Sequence, residues 1–183
     1  AKGDELAKFT VMIRNSNPGS WGLCTGTLIT PRIVLTAAHC VQSPEGRIVS
    51  DVKNVAVVFN RFEEERLGYY SPAVTADMVI MPSDYLGDDG VRTEHTQSYG
   101  LFTFRTDDLA LVRLSKNAPA GFVPLQKIAT REEITQYADT LLSAGYGCET
   151  SDSGNCPNGR LKSARVRLES NSYFYSFVDT MYV

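Results

Sequence analysis

Residues 33–40 read IVLTAAHC. Ile33-Val34-Leu35 is an apolar run of branched side chains, the composition of a buried strand. The side chains then shrink through Thr36-Ala37-Ala38, and the stretch ends on a histidine beside a cysteine. The chain holds only two histidines, and one stands where an apolar strand stops, next to a residue able to anchor it. An imidazole in that place is either a core side chain with a partner or a group set up for proton transfer near neutral pH. The small Ala37 and Ala38 let neighbouring chain pack close around it.

Outward from this stretch, helical periodicity is scarce and short β-rich runs dominate. They are Phe9–Arg14, Gly26–Thr30, Ile33–Thr36, Val52–Phe59, Val74–Met81, Leu109–Leu114, Leu141–Ala144 and Leu161–Leu168. Turn residues separate them at Asn17-Pro18-Gly19-Ser20, Ser43-Pro44-Glu45-Gly46, Gly87-Asp88-Asp89-Gly90 and Asn155-Cys156-Pro157-Asn158-Gly159. Many short strands between turns predict an all-β sandwich or barrel. One helix is predicted over Thr130–Tyr137, with Thr130 as cap and Glu133 three residues later at capping-box spacing. A further helical turn is predicted after Thr36, around Ala37 and Ala38. Ser115-Lys116-Asn117-Ala118-Pro119-Ala120-Gly121 is the linker candidate, dividing residues 1–118 from 119–183.

Composition narrows the function classes. Of 183 residues, 43% are hydrophobic and 21% charged, the balance of a soluble globular protein. No run of eighteen apolar residues spans a membrane. A net charge of −3 argues against nucleic acid or an anionic membrane as the main partner, since either needs a basic face. The opening Ala1-Lys2-Gly3-Asp4-Glu5 lacks the apolar core of a signal peptide, as expected of a processed secreted chain, although a cytosolic chain would look the same.

Four cysteines, Cys24, Cys40, Cys148 and Cys156, include no Cys-x-x-Cys, which disfavours zinc and thioredoxin-type sites. Two disulfides, Cys24–Cys40 and Cys148–Cys156, are the natural pairing and imply an oxidising compartment. Each closes a short loop worth about 2.5–3 kcal/mol. Four reduced, buried thiols are the alternative.

The histidine stretch belongs with a second one, Thr106-Asp107-Asp108-Leu109-Ala110-Leu111-Val112-Arg113-Leu114. Each joins an apolar strand to an ionisable end. A buried histidine and a buried carboxylate both need partners, and each could serve the other. An aspartate that accepts Nδ1–H fixes the tautomer and leaves Nε2 as a general base. That is half of a nucleophile-activating triad.

LTAAHC and DDLALVRL resemble the histidine and aspartate motifs of the trypsin/chymotrypsin-like serine proteases. CTGTLITPRIVLTAAHC resembles the segment in which that family pairs a cysteine ahead of the histidine strand with the one after it, here Cys24 and Cys40. FVPLQKIA resembles the connection between the family's two barrels, LLSAGYG the start of the second barrel, and GRLKSARVRL a strand that follows. The resemblance runs from about residue 9 to residue 168. It implies a double six-stranded β-barrel, with an N-terminal barrel over 1–118 and the first, incomplete part of a second over 119–183. It also implies His39 as base and Asp108 as its orienter, with Asp107 the competitor in that role. His95, in a polar loop, is expected to be solvated.

The sequence departs from that pattern in places. The family's serine sits in a Gly-Asp-Ser-Gly-Gly segment, and residues 1–183 hold none. The nearest look-alike, Ser151-Asp152-Ser153-Gly154-Asn155, precedes strands that the family places before its serine, so Ser153 is expected to be a turn residue. The family's freed Ile/Val amino terminus is also absent from Ala1-Lys2-Gly3. Residues 1–183 alone are therefore expected to be inactive, with the serine outside them, on a longer chain or on a separate C-terminal fragment. The acidic runs Glu63-Glu64-Glu65-Arg66 and Asp84…Asp88-Asp89 lie between the two motifs. Oxygen ligands would suit calcium, but neither run has EF-hand spacing, and solvated surface loops are the expectation; no metal or cofactor is assigned. The resemblance points to a secreted or periplasmic endopeptidase acting on polypeptides and open to a protein inhibitor. A catalytically inactive, protease-like binding module is the alternative.

Overall fold

The computed structural model describes residues 5–17, 20–42, 51–59, 73–82, 96–99, 102–105, 108–136, 141–147, 161–168 and 175–182. Strands dominate. In chain order they are β1 (Thr10–Asn17), β2 (Ser20–Thr30), β3 (Ile33–Thr36), β4 (Val55–Val58), β5 (Ala73–Ile80), β6 (Thr96–Tyr99), β7 (Phe102–Arg105), β8 (Ala110–Leu114), β9 (Leu141–Gly145), β10 (Lys162–Leu168) and β11 (Tyr175–Tyr182). Six of them close into a barrel in the order β1-β2-β3-β8-β5-β4. A second sheet runs β11-β10-β9, and β6 pairs with β7. Closure removes the free edges that an open sheet of this length would present.

The barrel core is aliphatic. Val11, Ile13, Leu28, Val34, Val55, Val57, Phe59, Val112 and Leu114 are fully buried. Alternation puts them there: β8 runs buried at Ala110, Val112 and Leu114 with half-buried residues between, and β3 buries Val34 and Thr36. In β5 the inward phase shifts from Val74 and Ala76 to Val79. The cause is a bulge at Asp77, where the register with β8 steps from Ala76↔Leu114 to Met78↔Arg113. The extra residue is re-aimed outward, and Asp77 accepts from Arg113 Nε at 2.6 Å and from Arg32 at 3.1 Å. Gly26 is needed for closeness: a Cβ there would meet Val34 Cγ1 at 2.6 Å.

The first half of β1 and the whole of β4 are buried on both faces. Their outer residues Met12 and Val58 pack with Tyr146 and Leu161 of the second-sheet region. Thr25 of β2 anchors that packing, its Oγ1 accepting from Tyr146 N–H at 2.9 Å. The connection after β8 straps along the barrel through Leu125 N–H to Leu28 O and Val123 N–H to Lys8 O.

The helix α1 (Arg131–Gln136) follows Thr130, the predicted cap, and Tyr137 lies outside the described residues. Its capping box is formed: Thr130 N–H donates to Glu133 Oε2, and Glu133 N–H to Thr130 Oγ1. Lys127, with Thr130 N–H after it, holds the Glu133 carboxyl below the usual range. The predicted turn after Thr36 is a single 3-10 turn over Ala38–Cys40. The run over 52–59 divides into a 3-10 turn, Val52–Asn54, and β4.

Two features went unpredicted. The β6–β7 pair has strands of only four residues, too short for an alternation to stand out. In β11, Val178 is extra between the pairs Arg165↔Asp179 and Val166↔Phe177, so the period of two slips midway. Among the described residues no helix is long and apolar enough to cross a membrane.

Candidate active site

Histidine and aspartate meet because of strand register. β3 and β8 pair antiparallel, Thr36 opposite Ala110. The chain leaving β3 and the chain entering β8 therefore lie side by side at one end of the barrel. His39 sits three residues beyond Thr36, and Asp108 two residues before Ala110. The 3-10 turn between Ala37 and Val41 lifts His39 out of the strand line, while Ala38 beneath it is fully buried.

Asp108 uses both carboxylate oxygens on this one residue. Oδ1 accepts from the His39 backbone N–H at 2.9 Å, and Oδ2 lies 2.6 Å from His39 Nδ1. The two residues are 69 positions apart in sequence. A carboxylate accepts but does not donate, so Nδ1 carries the proton, and in the neutral ring Nε2 keeps its lone pair. The side chains are 52% exposed for His39 and 26% for Asp108. The histidine is thus not the buried group that the apolar run implied: the turn carries it past the strand end into the open, with the carboxylate partly sheltered behind it. Its Nε2 is 3.5 Å from Cys40 Sγ. A disulfide sulfur has no hydrogen and Nε2 has none in this tautomer, so the contact leaves the lone pair available.

The turn is anchored covalently. Cys24 and Cys40 form a disulfide, and Cys24 stands opposite Ile13 in the β1–β2 ladder. The bridge links residues 16 apart. Replacing both cysteines by serine should lower stability by about 3 kcal/mol, read as a lower denaturant midpoint, with a steeper slope because the unfolded chain loses its cross-link. Cys24, His39 and Cys40 place their ligand-type atoms within 4.8 Å of one another, but the two sulfurs are bonded to each other, and the thiolate is the form that binds metal.

Of the other predicted residues, Asp107, His95, Ser153, Cys148, Cys156 and the acidic runs at 63–66 and 84–89 lie outside the described residues. Sequence reading missed Asn15, buried beside the same turn, whose Nδ2 donates to Gln42 O at 3.0 Å. The first predicted strand stopped at Arg14. The inward alternation of Val11 and Ile13 runs on to Asn15, but in sequence a polar residue after Arg14 reads as the end of the strand.

The family model described as Trypsin matches residues 2–181. The chain belongs to the trypsin family. A curated relative in this family's protease class is "CLIP domain-containing serine protease HP8" from Bombyx mori, 29% identical over 179 residues, covering 93% of this chain. The chain spans 46% of that relative's length. Among solved structures, "Structure of GrC" matches with a TM-score of 0.62 at 19% identity, over 90% of this chain and 61% of that one; it bears on the fold alone. The trypsin-family membership agrees with the closed barrel followed by a second sheet, and with the disulfide next to the histidine.

Proposed function

We propose that the protein containing residues 1–183 is a trypsin-type serine endopeptidase in which His39 is the general base and Asp108 its orienter. The observation that carries this reading is the two-pronged grip of Asp108 on His39, through the ring Nδ1 and the backbone N–H together. It fixes both the tautomer and the ring's direction, which a base needs before any substrate arrives. Residues 1–118 form the first of two barrels in this reading, and 119–183 begin the second. The cleft lies between them.

The nucleophile is a serine outside residues 1–183, because these residues hold no Gly-Asp-Ser-Gly-Gly segment. His39 Nε2 takes the serine proton as Oγ attacks the peptide carbonyl. The resulting imidazolium is stabilised by the Asp108 carboxylate, then hands the proton to the leaving amine. A water molecule repeats the cycle on the acyl-enzyme: His39 removes its proton, the ester bond breaks, and the proton returns to serine. The substrate is a polypeptide, and a protein inhibitor would occupy the same cleft. The Cys24–Cys40 bridge supports an oxidising, extracellular setting.

The test is reaction of the activated, full-length protein with a serine-directed aryl phosphonate, followed by mass spectrometry of its peptides. A covalent adduct on a serine outside residues 1–183, abolished by His39→Ala, is the expected result. No adduct on the folded, full-length protein would overturn the enzyme reading and leave a protease-like binding module.

A further inference from the structure

Asn15 occupies the third inward position of β1, after Val11 and Ile13, and is 7% exposed. It stands opposite Gly22 on one side and Val55 on the other. An aliphatic side chain there would continue the core. Instead the position holds an amide whose Oδ1 is buried and has no hydrogen-bond partner among the described residues. A buried acceptor without a partner lowers stability. Residues that weaken a fold in this way are characteristic of functional sites.

The amide's donors have a specific destination. Nδ2 lies 3.4 Å from Cys40 O and 3.0 Å from Gln42 O. These carbonyls bracket Val41, where the chain leaves the turn that carries His39. The other ties on the turn act elsewhere. Asp108 Oδ1 holds the His39 N–H from the β8 side. The disulfide holds the Cys40 side chain from β2. Cys40 N–H and Val41 N–H bond back within the turn, to Ala37 O and Ala38 O. The Val41 N–H bond also orients the Cys40 carbonyl, which lies in the same peptide plane; none of these ties fixes the direction of the Gln42 carbonyl.

We propose that Asn15 is a positioning residue: its amide holds the carbonyls of Cys40 and Gln42 and thereby sets the turn that presents His39 to Asp108. The inference rests on the reading of His39 and Asp108 as base and orienter. With the amide removed, the Cys40–Val41 peptide plane keeps only its bond from Val41 N–H to Ala38 O, and the Gln42 carbonyl loses its tie to β1. The His39 N–H and the imidazole then no longer meet the two oxygens of Asp108 at the same time.

The test uses Asn15→Leu, which fills the inward position without polar atoms, in the activated full-length protein. Kcat per titrated active site should fall about tenfold to a hundredfold, because small misplacements of a catalytic group are costly. KM should change less than twofold. The downfield Nδ1–H proton resonance of His39 should broaden or move. Asn15→Gln, which keeps the amide, should restore part of kcat. In the unaltered protein the Asn15 side-chain amide protons should exchange slowly with solvent. Unchanged kcat and an unchanged Nδ1–H resonance in Asn15→Leu overturn the proposal, as does rapid exchange of the Asn15 amide. A drop that tracks only the folded fraction overturns it too. If His39→Ala also leaves turnover unchanged, the dyad reading has failed instead.

Discussion

Asp108→Asn in the activated full-length protein should lower kcat about 10⁴-fold at neutral pH with little change in stability. The two contacts of Asp108 explain both the size and the sign. The His39 backbone N–H is an obligatory donor and faces Oδ1 at 2.9 Å. An asparagine must therefore turn its carbonyl oxygen toward that N–H. Its NH₂ group then faces Nδ1, 2.6 Å from the other oxygen in the native arrangement. Nδ1 becomes an acceptor, the ring proton moves to Nε2, and the base has no lone pair where the serine would be. The fold keeps its backbone tie while the chemistry loses its tautomer. The measurement is steady-state hydrolysis of a peptide substrate, with ¹⁵N NMR of the imidazole to read which nitrogen bears the proton. Near-normal kcat, or a proton still on Nδ1, would show that Asp108 does not orient His39.

Phe59→Ala is expected to produce the largest loss of stability, about 3–5 kcal/mol. Phe59 is fully buried and ranks among the largest side chains in the barrel core. Its ring meets Phe122 edge-on, with centroids 4.8 Å apart and planes at 73°. Truncation leaves a void between β4 and the connection that straps the barrel after β8. Closed barrels collapse poorly into such voids, because the strand ladder holds the walls apart. Urea denaturation of the two single variants and the double variant with Phe122→Ala would give a coupling of about 0.5–1.5 kcal/mol for the ring pair. A single-variant loss below about 1 kcal/mol would mean that the site refills, and would contradict tight packing there.

These expectations draw on different depths of information. Strand existence was legible along runs of branched apolar residues. Ile33–Thr36 agrees residue for residue between sequence and structure, and Leu109–Leu114 differs by one residue. Alternation failed where a bulge broke its phase, as at Val178, and where strands were short and polar, as at Thr96–Tyr99. The helix cap at Thr130 was legible because it is local: Thr130 and Glu133 are three residues apart and need no other part of the chain. Asn15 was not, because a polar residue after Arg14 reads as the end of a strand until the barrel places it inside.

By itself the sequence determined the class of fold, the cysteine that anchors the histidine turn, and the two segments that carry His39 and Asp108. Those properties reside in residue type and spacing along the chain: branched apolar runs between turn residues, and an ionisable group at each strand end. Only the tertiary structure decided that β3 and β8 lie in antiparallel register, that the Asp108 carboxylate divides its oxygens between a ring and a backbone N–H, and that an amide from β1 reaches the carbonyls behind the turn. Hydrogen bonds between groups 27 and 69 positions apart depend on which strands become neighbours when the barrel closes. That choice is made by burial of the whole core at once, and no local pattern contains it.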